Sequence, residues 1–226
     1  MEKLIEILTS NTYFKHKYTK SISWKKQEIL LDVKSHFNSG IICLVRKGEL
    51  KIEIQKNGQW IPLTILKNND FIGIEYLVPF HEEIFKLNYR IIALSDGEGI
   101  QIQHEYFMNH VYADPRFLNV LLQRVSMRYL FLLQRHALTD ESLDKKLARV
   151  LWEFSSFETL ENPALMKMNV YKVPSYITQQ ILAEYLQVSV YKIRQIFVQW
   201  LEDTGILSSI RPIVINKDKL KQVYYL

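Results

Sequence analysis

Residues 174–201 read PSYITQQILAEYLQVSVYKIRQIFVQWL, and this stretch decides the fold of the C-terminal part of the chain. Two helix-length apolar patterns flank a short connection. Thr178 is placed to cap a first helix whose buried stripe is Ile181, Leu182, Tyr185 and Leu186, and the small Ala183 permits a partner helix to cross closely. Ser189 is placed to cap a second helix supported by Ile193, Ile196, Phe197, Trp200 and Leu201. Two helices on so tight a connection predict a helix-turn-helix, whose second helix enters a DNA major groove.

Only outward positions near the start of that second helix reach base edges, and here they are Val190, Tyr191, Arg194 and Gln195. Val190 suits a thymine methyl, Gln195 a bidentate pair with adenine, and Arg194 guanine or phosphate. Lys192 and Gln199 lie farther around or along the helix, where phosphate is the nearer target. Thr178, Gln179 and Ser189, at the two helix starts, complete the candidate DNA-contacting set. The competing reading for each of these residues is a solvated helix face. Gly205 supplies a helix stop, after which Ile206-Leu207 and Ile213-Val214-Ile215 read as paired strands around a turn at 208–211. That pattern is a wing, with Arg211 at its tip facing either phosphate, a minor groove or water alone.

Upstream, Asp114-Pro115 has the form of a helix start, and residues 116–138 follow as one long helix. Leu118, Leu122, Val125, Tyr129, Leu132 and His136 recur in steps of four and three, the spacing of an interhelical seam. Such a stripe packs either onto its own domain or onto a second copy of itself. Residues 139–141 break the pattern. Ser142 starts another helix running to about Phe157, carrying Leu143, Leu147, Val150, Leu151 and Phe154, and Asn162-Pro163 then marks a loop or linker.

From Ile22 to about His104 the character changes to short strand-like runs separated by turn residues, at 28–31, 41–45, 50–54, 60–66, 71–72, 89–94 and 99–102. They predict a small antiparallel barrel or roll. In the run from Leu50 to Ile54, Leu50, Ile52 and Ile54 share one face while Lys51 and Glu53 are expected to face outward, and Asn57-Gly58 marks a hairpin turn. Gly48 and Gly73 fall where a tight turn or close backbone approach is needed, a structural reading that competes with ligand binding. A short helix over residues 2–9, with Leu4, Ile5 and Leu8 inward, and a loop around Tyr13, Phe14 and Tyr18 precede the roll.

Composition is that of a folded chain: 48% hydrophobic and 23% charged residues in 226, too long for one minimal DNA-binding module and comfortable for two domains. The excess of 29 basic over 24 acidic residues grows toward the C-terminus, where residues 171–226 hold seven basic and four acidic groups. A polyanionic partner fits that distribution. The lone Cys43 lies in an apolar run and excludes an intrachain disulfide, a four-cysteine zinc site and an all-cysteine iron–sulfur cluster. No secretory hydrophobic region opens the chain and no apolar run is long enough to cross a bilayer, so a cytoplasmic protein without a membrane partner is expected.

The order of β-roll, long helix and winged helix-turn-helix resembles the cyclic-AMP receptor protein and fumarate–nitrate regulator (Crp/Fnr) family of bacterial transcription factors. The resemblance covers essentially the whole chain. It is carried by residues 45–52 (VRKGELKI) and 70–73 (DFIG) in the roll, 138–148 (LTDESLDKKLA) after the long helix, and most strongly by 181–189 (ILAEYLQVS). It implies an α+β protein with a jelly-roll-like antiparallel β-roll at 1–113, a dimerisation helix at 114–138 and a winged helix-turn-helix domain at 139–226. It further implies a homodimer held by the seam from Leu118 to His136, each subunit reading half of a roughly palindromic operator in double-stranded DNA. An activator or a repressor is implied, leaving room for an RNA polymerase contact and a small-molecule effector.

Departures from the family pattern narrow the effector. Where nucleotide-binding members place a Gly-Glu pair and later an Arg-Ser-Ala-like segment, this chain has Gly73-Ile74 and Leu87-Asn88-Tyr89. The acceptor for a ribose hydroxyl and the countercharge for a cyclic phosphate are missing, unless a bulge brings in Arg90, so cyclic AMP is not expected to bind. Cys43 alone does not reproduce an iron–sulfur ligand set, and His36, His81, His104 and His110 form no haem-ligating motif. No cofactor is therefore expected. Val190, Tyr191 and Gln195 replace the Arg, Glu and Arg of a familiar branch, predicting a different operator. The alternative is an enzyme or ligand-binding protein built on the N-terminal barrel, but no acid–base pair, metal spacing or activated nucleophile supports it.

Overall fold

A computed structural model describes residues 17–32, 41–77, 88–137, 140–161 and 168–225. Internal packing divides the chain into two compact units, Met1–Met127 and Arg128–Leu226.

The first unit contains strands β1 (Thr19–Trp24), β2 (Ile29–Asp32), β3 (Ile41–Lys47), β4 (Leu50–Lys56), β5 (Gln59–Leu66), β6 (Phe71–Ile72), β7 (Tyr89–Ala93) and β8 (Gly97–Gln103). They form two four-stranded antiparallel sheets, ordered β1-β8-β3-β6 and β2-β7-β4-β5. Helix α1 (His104–Ala113) follows, and Pro115 opens the 23-residue α2 (Pro115–Ala137). The seven strand-like runs read from the sequence all coincide with strands of these sheets.

Alternation along β3 explains the layering. Ile42 and Leu44 pack with Phe71, Ile100 and Ile102 against Phe107 and Val111 of α1 and Phe117 and Leu121 of α2. Cys43 and Val45 point the other way, into a core of Trp24, Leu50, Leu66, Ile72 and Ile91 between the sheets. Both faces of β3 are thus buried, so its sequence is a continuous apolar run rather than an alternating one. Phe107, fully buried, meets Phe71 and Phe117 edge-on at centroid distances of 5.5 and 5.2 Å. Aromatic contacts of this geometry add to the stabilisation from burial itself.

Turn chemistry fixes the register. Asn57 and Gly58 both have positive φ, as the two-residue hairpin between β4 and β5 requires. Gly48, at φ +92°, starts the turn into β4, and a Cβ there would lie 2.8 Å from the Asp96 carbonyl oxygen. Before α2, the Asp114 carboxylate accepts from the Arg116 backbone N–H at 2.9 Å, the cap expected from Asp114-Pro115.

Two expectations for the roll need correction. Lys51 and Glu53 do lie on the face of β4 opposite Leu50 and Ile52, but they are buried, not solvated. Glu53 is held between two cations, with Lys51 Nζ at 2.6 Å from one carboxylate oxygen and Arg90 Nε at 2.7 Å from the other, while the Arg90 guanidinium covers the Trp60 ring at 4.2 Å. Alternation assigns a face, and this ion cluster makes burial of that face tolerable. Strand β1 was also unanticipated, because TKSISW is largely polar and is paired only through the distant β8.

In the second unit, α3 (Leu143–Glu161) starts at Ser142, whose hydroxyl accepts from Lys145 N–H at 3.4 Å. It is followed by β9 (Val170–Lys172), α4 (Gln179–Leu186), α5 (Val190–Gln199), a π-helical turn (Trp200–Thr204), β10 (Leu207–Ile210), β11 (Ile213–Asn216) and α6 (Lys217–Tyr225). The sheet order is β10-β11-β9. Neither β9 nor α6 was expected: β9 adds Tyr171 opposite Ile215, both buried. The short helix at 2–9, Tyr13, Phe14, His36, His81, Leu87, Leu138 and Asn162-Pro163 lie outside the described residues.

Candidate nucleic-acid interface

Helices α4 and α5 are built as the sequence predicts at their starts. Thr178 Oγ1 accepts from Ile181 N–H at 3.2 Å and Ser189 Oγ from Lys192 N–H at 3.4 Å, each satisfying a donor left open by the first turn. The connection between them closes by an unexpected route. Gln187 adopts the left-handed conformation at φ 54°, ψ 43°, so that its N–H reaches the Glu184 carbonyl at 3.2 Å and Val188 N–H reaches Ala183 at 3.0 Å. This paired closure normally takes glycine, and a glutamine gives the sequence reader no signal for it.

Leu182, Ala183 and Tyr185 of α4 are buried, as are Ile193, Ile196 and Phe197 of α5 and Trp200 beyond it. Ala183 therefore occupies the close-packed position expected of it. Ile181 and Leu186 are half-buried. Leu201 is a correction: it was placed on the buried stripe but is 38% exposed. The π turn supplies the reason, since i→i+5 winding rotates the residues after Trp200 relative to the α-helical stripe. Gly205 then ends the helix at φ 62°, as expected.

Tyr191, Lys192, Arg194, Gln195, Val198 and Gln199 form the exposed face of α5. Val190 is half-buried rather than outward, which weakens its reading as a base contact. Thr178 and Ser189 are exposed and Gln179 half-buried. Gln195 Nε2 donates to the Tyr191 hydroxyl at 3.1 Å, joining two of the candidate readers. Glu202 and Asp203, which the sequence reading passed over, share a shallow depression with Tyr191, Arg194, Gln195 and Gln199. Their signal was available in the helical period, since Glu202 follows Gln199 by three positions and Asp203 follows it by four. The predicted wing exists as the β10–β11 hairpin, with Arg211 exposed at its turn.

On α2, Phe117, Leu121 and Phe131 are buried, whereas Leu118, Leu122, Val125, Tyr129 and Leu132 are 39–60% exposed and His136 is exposed. Leu130 and Leu133 add to the uncovered apolar surface. The apolar residues of the seam read from the sequence thus lie on an exposed face of this helix.

In the roll, Gly73 has φ 82° and is followed by a single 3-10 turn, Ile74–Leu77. The Asn88 amide donates to Gln55 Oε1 at 3.2 Å, and Arg90 is committed to Glu53 and Trp60 on the face of β7 opposite Ile91. No bulge turns Arg90 toward the inter-sheet core. Burial pushes the Cys43 thiol up to about 12, so it behaves as a small apolar side chain. His110 Nδ1 lies 2.8 Å from the Tyr106 carbonyl, one helical turn away. Among the described residues no three His, Cys, Asp or Glu side chains gather as metal ligands, and no helix is long and apolar enough to cross a membrane.

An antiparallel β-roll, a long helix and a winged helix-turn-helix follow one another along the chain. The chain shares the fold of the Crp/Fnr regulators. A cyclic nucleotide-binding domain containing protein from Listeria monocytogenes EGD-e is similar over 96% of this chain and 97% of its own, with a TM-score of 0.74 and 17% identity. A Crp/Fnr-family transcriptional regulator from Eubacterium rectale gives 0.60 at 18% identity, covering 96% and 95%. CooA from Carboxydothermus hydrogenoformans, in a double-mutant form, gives 0.67 at 18% identity, covering 98% and 95%. No protein-family model and no curated protein sequence matches the chain.

Proposed function

We propose that this chain is a Crp/Fnr-type transcription regulator that binds double-stranded DNA as a homodimer. The observation that carries the reading is the exposed face of α5, where Tyr191, Lys192, Arg194, Gln195 and Gln199 stand on a doubly capped helix-turn-helix whose opposite side is buried. The helix supplies base readout, and Lys192 and Arg211 supply phosphate affinity. Residues 114–138 act as the dimerisation segment, through Leu118, Leu122, Val125, Tyr129, Leu132 and His136.

Two-fold pairing along α2 gives a roughly palindromic operator with half-sites about 34 Å apart, one helical turn of DNA. The protein acts in the cytoplasm, as an activator through a contact with RNA polymerase or as a repressor by occupying the promoter, and it requires no catalysis. Cyclic AMP is not its effector, because Gly73-Ile74 and Asn88-Tyr89 lack the acceptor and countercharge, and Arg90 is already paired. Selection from a random duplex library tests the reading. Recovery of one palindromic sequence supports it, and binding without sequence preference refutes it.

A further inference from the structure

We propose that Lys219 of α6 is a positioning residue for base readout: its ammonium closes the π turn that follows α5 and holds Glu202 and Asp203 beside the reading face. The inference rests on the reading of α5 as a DNA-recognition helix. The last carbonyls of a helix have no partner within it and need donors from elsewhere. Here Thr204 and Lys219 supply them. The Thr204 hydroxyl donates to the Trp200 carbonyl at 3.2 Å and accepts from Ile206 N–H at 3.3 Å. The Thr204 carbonyl in turn accepts from Lys219 Nζ at 2.9 Å, a donor fifteen residues along the chain. A cation at the carbonyl end of a helix is also favoured by the helix dipole.

Lys219 reaches that carbonyl because α6 is itself fixed. Asn216 Oδ1 accepts from the backbone N–H groups of Asp218 and Lys219, both at 3.1 Å, and so caps α6. Asn216 N–H donates to the Ile206 carbonyl at 2.8 Å, which ties this cap to the residue that follows the turn. Leu220 is fully buried, and the Lys217 and Lys221 ammonium groups lie over the Tyr171 and Trp152 rings at 5.6 and 5.0 Å. Gly205 leaves room for the tether: a Cβ there would lie 2.7 Å from Lys219 Nζ. What the tether holds is chemically selective. Glu202 and Asp203 share their depression with Arg194, Gln195 and Gln199. A carboxylate on that side accepts from a cytosine amino group yet repels phosphate, so its value depends on where it is held.

The probes are the duplex that the wild-type chain recovers from a random library and a scrambled duplex of the same composition. Lys219→Met keeps the aliphatic stem and removes the donor. It is expected to lower the ratio of the two affinities about threefold, the size of one charge at an exposed helix end, with the salt slope unchanged. Lys219→Arg, which keeps a cationic donor, is expected to retain the ratio. In a Glu202→Gln/Asp203→Asn background Lys219→Met should have no further effect, because the groups it positions are gone. Lys219 is exposed, so the variants are expected to fold, and circular dichroism verifies that they do. Equal weakening of both duplexes with the salt slope lowered by about 1 would make Lys219 a phosphate contact and overturn the assignment. An undiminished threefold loss in the carboxylate-free background would overturn it as well. A wild-type chain without sequence preference refutes the recognition reading and this inference with it, whereas a wild-type preference that Lys219→Met leaves intact overturns this inference alone.

Discussion

The Gln195 amide donates to the Tyr191 phenol one turn earlier on α5, across 3.1 Å. The phenolic proton is then directed away from Gln195, and the amide oxygen remains an acceptor, so the two side chains present an ordered donor and acceptor side by side. Gln195→Ala should lose discrimination at one base pair per half-site by ~1–3 kcal/mol. Tyr191→Phe removes the acceptor that orients the amide, so the double variant should lose less than the sum of the single losses. Binding to duplexes carrying all four base pairs at each half-site position checks this, and additive losses would show that the two residues read independently.

Lys192→Ala and Arg211→Ala should behave differently from Gln195→Ala. A cation that meets phosphate contributes irrespective of sequence, so each substitution should weaken specific and nonspecific duplexes alike and lower the salt slope by about 1. Titrations at several salt concentrations separate the two classes. A loss confined to one base pair would move Arg211 or Lys192 into the base-reading set.

Val125→Asp should shift the chain toward monomer. Val125 is 40% exposed within the uncovered stripe of α2, and a two-fold pairing would bring two carboxylates into an apolar seam. Sedimentation at low concentration measures the effect, and an unchanged dimer would place the interface elsewhere.

Glu53→Gln should cost about 2–3 kcal/mol of stability, less than a fully buried pair because the Arg90 side chain remains 24% exposed. The substitution leaves the Lys51 ammonium in a buried site without its carboxylate. Denaturant unfolding followed by Trp fluorescence reads the change, and a neutral variant would show that the cluster contributes nothing net to folding.

Cys43 should resist alkylation at pH 8 while the roll is folded. Its thiol titrates at about 12 because burial disfavours the thiolate, which is the reacting species. Labelling should therefore follow denaturant unfolding of the first unit, and rapid native-state modification would contradict the buried placement.

The recognition unit was legible because its signals are local: Thr178 and Ser189 announce the caps, and the apolar period fixes the buried faces within a few turns. What escaped the sequence depends on partners far along the chain. The three residues of β9 carry no periodicity and become a strand only through β11, and polar β1 does so only through β8. Lys51 and Glu53 were assigned to the correct face, yet their burial depends on Arg90 and Trp60, which no alternation rule supplies. Leu201 was misplaced because the π turn changes the angular step after Trp200. At α2, spacing alone admitted packing on the chain itself or on a copy, because the same four-and-three period serves both.

Phe117 and Leu121 lie buried on one side of α2 and Leu122 and Val125 exposed on another, so under the proposed two-fold pairing that helix has two separable roles. Changes at the first pair should lower the melting temperature equally at every protein concentration, because their contacts are made within one chain. Changes at the second should instead remove the concentration dependence that a dimer's melting has, since a dissociated chain unfolds alone. At chain concentrations below the dissociation constant of the proposed dimer, the amount of dimer grows with the square of the amount of chain, so occupancy of an operator would respond to synthesis of this protein more steeply than in proportion.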